Sequence, residues 1–235
     1  MCGIVGIYLK NSALQAKLGE MFEPMLVAMT GRGPDSAGFA IYNDHAGSDA
    51  LKFEIYKDVG LPQKVADQFK LKTMQGSHVI GHTRMATESS VTVEGSHPFS
   101  TGMDVCLVHN GSFSNHNRLR EELRREGIEF QTDNDTEVAA GYLTWRLREG
   151  DELEQALQGV IKDLDGFYTL TIGTKDGFAV VRDPIACKPA VLAETDDYVA
   201  MASEYQALAH LPGIEQARLW EPEPAKVYTW TMQAA

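Results

Sequence analysis

Cysteine is scarce in these 235 residues: Cys2, Cys106 and Cys187 are an odd number at no metal-like spacing. That count argues against a disulfide framework, and three scattered thiols cannot hold an iron–sulfur cluster. No apolar run approaches the roughly 18 residues that suggest a membrane span. The start, Met1-Cys2-Gly3-Ile4-Val5-Gly6-Ile7, lacks the basic stretch and cleavage site of a secretory signal. Positive charge is also short: 21 Lys and Arg against 33 Asp and Glu leave a net charge of −12. Such a surface repels phosphate backbones, so nucleic acid is not an expected partner, and Arg118 to Arg125 is the only dense basic stretch. Low-complexity tracts, internal repeats and Gly-rich nucleotide loops are missing too. Together these absences predict a cytoplasmic chain with no membrane and no nucleic acid.

What remains is ordinary globular composition, 43% apolar and 23% charged, with no linker, which predicts one domain over residues 2–235. The β-branched run Gly3 to Leu9 predicts a buried strand almost at the chain start. A helix is expected over Ala13 to Met29, then a loop at Gly31-Arg32-Gly33-Pro34-Asp35-Ser36. Short strands follow at Phe39 to Tyr42, Lys52 to Tyr56 and Ser77 to Gly81, with a short helix at Val65 to Met74. Thr87 to Gly102 reads as a loop. The apolar strand Asp104 to Val108 ends at His109-Asn110-Gly111. Helices are expected at Asn115 to Glu126 and Thr136 to Glu149, with Asp151 capping a third whose Leu153, Ala156, Leu157, Val160, Ile161 and Leu164 form a core-facing stripe. Strands then dominate: Phe167 to Gly173, Gly177 to Arg182, Val191 to Ala193, Tyr198 to Ala202 and Lys226 to Met232, with a short helix at Glu204 to His210. Strands at both ends with helices between predict an α+β layered architecture.

Cys2 is the most informative position. Removal of Met1 would expose a thiol and a free α-amine on one residue. That amine, with a pKa of roughly 7.7–8.0, can take the thiol proton itself or through a water, so the nucleophile would carry its own base. The alternative is a small buried residue opening a strand. Five of the seven histidines fall between His78 and His116, but their spacings fit no standard ligand pattern, and no metal is expected.

Further motifs occur in order. Arg32-Gly33-Pro34-Asp35-Ser36-Ala37-Gly38 is followed by Gly81-His82-Thr83-Arg84-Met85-Ala86-Thr87, His109-Asn110-Gly111, Asn134-Asp135-Thr136-Glu137, Arg182-Asp183-Pro184 with Lys188-Pro189, and Ala202-Ser203-Glu204. With Cys2-Gly3-Ile4-Val5-Gly6-Ile7 they resemble the class II glutamine amidotransferases, which are N-terminal nucleophile hydrolases. The resemblance implies a four-layer αββα fold with two antiparallel sheets, and L-glutamine as substrate.

The resemblance also implies roles. Cys2 would attack the amide carbon. Asn110 and Gly111 would donate to the tetrahedral oxyanion, which needs fixed donors in a water-poor site. Arg84 would take the α-carboxylate, with Thr87 near it, since a guanidinium fork suits a carboxylate. Asp135 would take the α-ammonium, and Arg32 would organise the Cys2 loop. Two plainer readings stay open: an Asn-Gly turn ending a strand, and Asp135 as a helix cap.

Gly81 through Glu149 is closely similar to the stand-alone, glutamate-synthase-like amidotransferase subunit of N-methylglutamate synthase. That likeness implies partner subunits carrying FMN and iron–sulfur clusters, none of them on this chain. Met85, where several relatives carry Trp or Tyr, and Glu88-Ser89, where sugar-linked members have His-Gly, depart from the wider family and leave the lid over glutamine open to difference. Two rival readings are a hydrolase of another amide on the same scaffold and a non-catalytic module that binds glutamine or a partner.

Overall fold

The computed structural model describes residues 2–43, 52–86, 91–102, 105–175 and 177–231. In chain order the elements are β1 (Gly3–Leu9), α1 (Leu18–Ala28), β2 (Ser36–Asn43), β3 (Lys52–Val59), α2 (Pro62–Gln68), β4 (His78–Arg84), β5 (Phe99–Gly102), β6 (Val105–Phe113), α3 (His116–Arg125), α4 (Asp135–Arg148), α5 (Leu153–Asp163), β7 (Gly166–Thr174), β8 (Gly177–Arg182), β9 (Val191–Glu194), β10 (Tyr198–Ala202), α6 (Tyr205–Leu208), β11 (Arg218–Trp220) and β12 (Lys226–Thr231).

Two antiparallel sheets result. The larger runs β11-β9-β10-β1-β4-β2-β3 and the smaller β12-β8-β7-β6-β5. The two-residue period of a strand sends alternate side chains to opposite faces. In β1, Val5, Ile7 and Leu9 pack on Leu18, Phe22, Met25 and Leu26 of α1, while Ile4 and Tyr8 join Cys106, Val108, Phe178 and Met201 between the sheets. On the far side, Leu107, Leu170 and Val181 pack under Val138, Leu143, Leu157 and Val160 of α4 and α5. The order helix, sheet, sheet, helix is the four-layer αββα arrangement, and the expected α+β class holds.

Polar contacts also cross between the sheets. Tyr42 donates its hydroxyl to the Gly173 carbonyl (2.6 Å), and His78 Nε2 meets the Thr174 carbonyl (2.9 Å) while its ring stacks on Tyr42 at 4.2 Å. Gly6 lies where a Cβ would come within 2.7 Å of the Phe178 ring, so its lack of a side chain lets the sheets approach.

Several boundaries differ from the sequence expectation. The expected helix over Ala13 to Met29 begins as a 3₁₀ turn, Ser12–Lys17, capped by Asn11, before α1. The helix expected at Val65 to Met74 starts earlier, at Pro62, and ends in a 3₁₀ turn, Leu71–Thr73. Phe99–Gly102 pairs as β5 inside the segment read as a loop. Glu152, with Gln155 in a reciprocal capping box, caps α5 in place of Asp151. The largest difference is β6, which continues through His109, Asn110 and Gly111 to Phe113. Pairing of Asn110 with Thr169 and Gly111 with Tyr168 on β7 overrides the local turn signal. Among the described residues no helix is long and apolar enough to cross a membrane.

Burial pushes His78 down to about 3. An unfolded imidazole titrates near 6.5, so below that pH the unfolded chain binds a proton that the native state refuses. Stability therefore falls as pH drops from about 6.5 towards 3, by up to about 1.4 kcal/mol per pH unit for this one group. Urea midpoints of His78→Gln and the parent between pH 7 and 4 should show a shallower decline for the variant; parallel declines would refute the assignment.

Candidate active site

The strand period sets the first requirement of a site, that distant residues share a face. Ile4, Ile80 and Val108 lie between the sheets. Two residues beyond Ile4 towards the chain start is Cys2, four beyond Ile80 is Arg84, and two beyond Val108 is Asn110, so all three face the same interlayer at its open end. A cleft of about 1070 Å³ opens there, lined by Cys2, Arg84, Asn110, Gly111, Asp135 and Lys188 among others.

Cys2 is half-buried, its Sγ 3.9 Å from the Met85 carbonyl. Arg32 does not line the cleft. Its Nε donates to the Cys2 carbonyl (2.9 Å) and one Nη to Glu204 (2.7 Å), and that guanidinium holds the Glu204 carboxyl below its ordinary range. Ser203 secures the chain two residues on: its hydroxyl accepts from Ile4 N (3.0 Å), and its own N–H donates to the Ile4 carbonyl (2.9 Å). The cysteine is thus gripped through backbone, leaving the sulfur towards the cleft.

Arg84, 8% exposed, ends β4. Asp35 fixes the chain there, donating its N–H to the Arg84 carbonyl (3.1 Å) and accepting from Ala86 N (2.8 Å). Thr87, expected near a bound carboxylate, lies outside the described residues.

Asn110 is 2% exposed, and its amide nitrogen is buried with no hydrogen-bond acceptor among the described residues. A buried donor left unmet costs about 1–3 kcal/mol, a cost that an arriving acceptor would relieve. Gly111 adopts φ +145°, and a Cβ there would sit 2.0 Å from the Phe167 carbonyl oxygen.

Asp135 is not the helix cap. Asn134 caps α4 by accepting from Thr136 N (2.9 Å), which places Asp135 in the first turn. One Asp135 oxygen accepts from Phe113 N (3.0 Å). The positive end of the helix dipole favours a carboxylate at this position.

Two supports carried no role in the sequence reading. The buried Glu137 carboxylate accepts from Gln131 N, Thr132 N and the Thr132 hydroxyl (2.8, 2.8 and 2.7 Å), while Arg120 donates to the carbonyls of Thr132 and Asn134. They clamp the cleft wall before α4; only the presence of Glu137 in its motif hinted at this. In the adjoining segment, Lys57 Nζ donates to the carbonyls of Glu94, Ser96 and Pro98 (3.2, 2.8 and 3.4 Å), and burial pushes that amine's pKa down.

The glutamine amidotransferase domain family matches residues 82–210, more than half of the chain. Glutamine amidotransferase-like protein GlxB of Rhizobium meliloti is 51% identical over 300 aligned positions spanning 100% of both chains. The chain belongs to the class II glutamine amidotransferases. The amidophosphoribosyltransferase of Archaeoglobus fulgidus is 33% identical over 91% of this chain and 45% of its own length. Glutamine phosphoribosylpyrophosphate amidotransferase of Bacillus subtilis superposes with a TM-score of 0.77 at 24% identity, over 100% of this chain and 50% of that one. The amidotransferase domain described here thus has the N-terminal nucleophile hydrolase fold, and spans about half the length of these two phosphoribosyl relatives.

Gly111→Ala is expected to lower stability by on the order of 3 kcal/mol, because the new methyl meets the Phe167 carbonyl at a strained φ. Urea unfolding checks this; a change below about 0.5 kcal/mol would show that the strand tolerates a side chain here.

Proposed function

We propose that this domain hydrolyses the side-chain amide of L-glutamine through a thioester on Cys2 and passes the ammonia to a separate synthase subunit. The observation that carries the reading is the buried, acceptor-free amide nitrogen of Asn110 in the same cleft as the Cys2 thiol. With Met1 removed, the Cys2 α-amine takes the thiol proton, and sulfur attacks the amide carbon. The resulting oxyanion is met by Asn110 Nδ2 and the Gly111 N–H. The amine returns its proton to the departing nitrogen, which leaves as ammonia. A water then attacks the thioester, releasing glutamate and restoring the thiol. Arg84 takes the substrate carboxylate, with Thr87 near it, and Asp135 takes the ammonium. Arg32, through the Cys2 carbonyl, holds the nucleophile in place.

Ammonia protonates and escapes in bulk water, which favours a docked consumer. On the strength of the segment from Gly81 to Glu149, the consumer is of the N-methylglutamate synthase or glutamate-synthase-like kind, with FMN and iron–sulfur centres on its own subunits. A free thiol nucleophile and unpaired cysteines suit a reducing cytoplasm.

Intact mass should show loss of Met1, and a diazoketone analogue of glutamine should label Cys2 and no other cysteine. Cys2→Ala should lower glutamate release by roughly 10³-fold or more, and Asn110→Ala should lower kcat by about 10²–10³-fold. Retained turnover in Cys2→Ala, or labelling at Cys106 or Cys187 instead, would sink the proposal.

A further inference from the structure

In the cleft wall lies a buried polar group that the reaction above does not use. Thr136 is fully buried, His97 is 6% exposed and His109 4%. The Thr136 hydroxyl oxygen sits 2.7 Å from His97 Nε2, 3.0 Å from His109 Nδ1 and 3.4 Å from Asp135 Oδ1. His109 Nδ1 is itself 3.7 Å from that Asp135 oxygen.

Proton counting gives one arrangement that makes all three contacts of the hydroxyl hydrogen bonds. A hydroxyl has one proton to donate and two lone pairs. An ionised carboxylate only accepts, so the Thr136 proton goes to Asp135. Both lone pairs are then filled by ring N–H groups, from His97 Nε2 and from His109 Nδ1. The opposite nitrogens, His97 Nδ1 and His109 Nε2, must be bare, and both are buried without a donor among the described residues. Burial presses both imidazoles towards the neutral form, which agrees with one proton on each ring. His82 braces the arrangement, stacking on His97 at 3.9 Å and meeting the His109 carbonyl through Nε2 at 3.1 Å.

Neutrality has a consequence for recognition. A protonated His109 would place a cation against Asp135 and use up the charge that a substrate ammonium needs. A neutral His109 supplies orientation without neutralising the carboxylate.

We infer that Thr136, with His97 and His109, is a positioning hub that orients Asp135 and makes the cleft selective for amides bearing an α-ammonium. This rests on the reading of Asp135 as the ammonium partner. Phe113 N fixes one Asp135 oxygen and the Thr136 hydroxyl the other, so the carboxylate is held at both ends. None of the three hub residues needs to touch the substrate.

The test is calorimetric binding to the Cys2→Ala protein, which separates recognition from turnover. The probes are L-glutamine and glutaramate, the same amide without the amine. The Cys2→Ala protein should prefer L-glutamine by about 100-fold, since glutaramate leaves the partly buried Asp135 carboxylate without a counter-charge. Adding Thr136→Val should cut that preference by about tenfold, with most of the loss in glutamine affinity, and Thr136→Ser should restore it. Where Thr136→Val fails to fold, His97→Phe keeps the stacked ring, deletes the N–H and should cut the preference in the same direction. Equal binding of the two ligands by the Cys2→Ala protein would overturn the reading of Asp135, and no binding of glutamine would overturn the proposed function. A normal preference in Cys2→Ala kept in full by a folded Thr136→Val would overturn the hub alone.

Discussion

Gly3 lies opposite Thr83 in the β1–β4 ladder, and Asn110 lies opposite Thr169 in the β6–β7 ladder. Everything in the cleft depends on those two registers. A slip of one residue in either would turn an entire strand over, sending Cys2 or Asn110 into the helix layer and a core side chain into the opening. The registers are protected by burial on both faces: every residue of β1 and β4 is buried. A strand buried on both sides has no solvent face to accept an error, so the same burial that stabilises the fold also places the nucleophile.

The second requirement is rigidity without water. The cleft is surrounded by charged and polar groups that are mostly buried and bonded through backbone: Arg32 to the Cys2 carbonyl, Arg120 and Glu137 to the 131–134 segment, Asp35 to the chain after Arg84. Burying such groups is expensive unless their bonds are met, and a network that is met becomes stiff. The exceptions are instructive. Among the described residues the buried atoms without partners include three that belong to cleft-lining side chains, Asn110 Nδ2, His97 Nδ1 and His109 Nε2, beside others such as Arg182 Nε and Asn43 Oδ1 that lie away from it.

Much of this was legible in the sequence because the determinants are local. The strand at Gly3–Leu9, the apolar stripe of α5 and the ordered motifs each occupy a few consecutive residues, and their layered outcome matches the αββα expectation. What could not be read is what tertiary contact decides. Asn110-Gly111 carries the local chemistry of a turn, yet a partner strand more than fifty residues away holds it extended. Asn134 and Asp135 are both good caps, and only the helix geometry separates them. Lys57 sits in a strand with no distinguishing pattern, because its three acceptors lie some forty residues further on.

That lysine bears on how the opening is held. An ammonium has three protons, and here they meet three carbonyls of one short stretch, from Glu94 to Pro98, while Ser96 is also tied to Ser36. Through His97 and Thr136 the same stretch is fastened to the start of α4, so one buried ammonium braces a bridge between the edge strand β3 and the helix that carries Asp135.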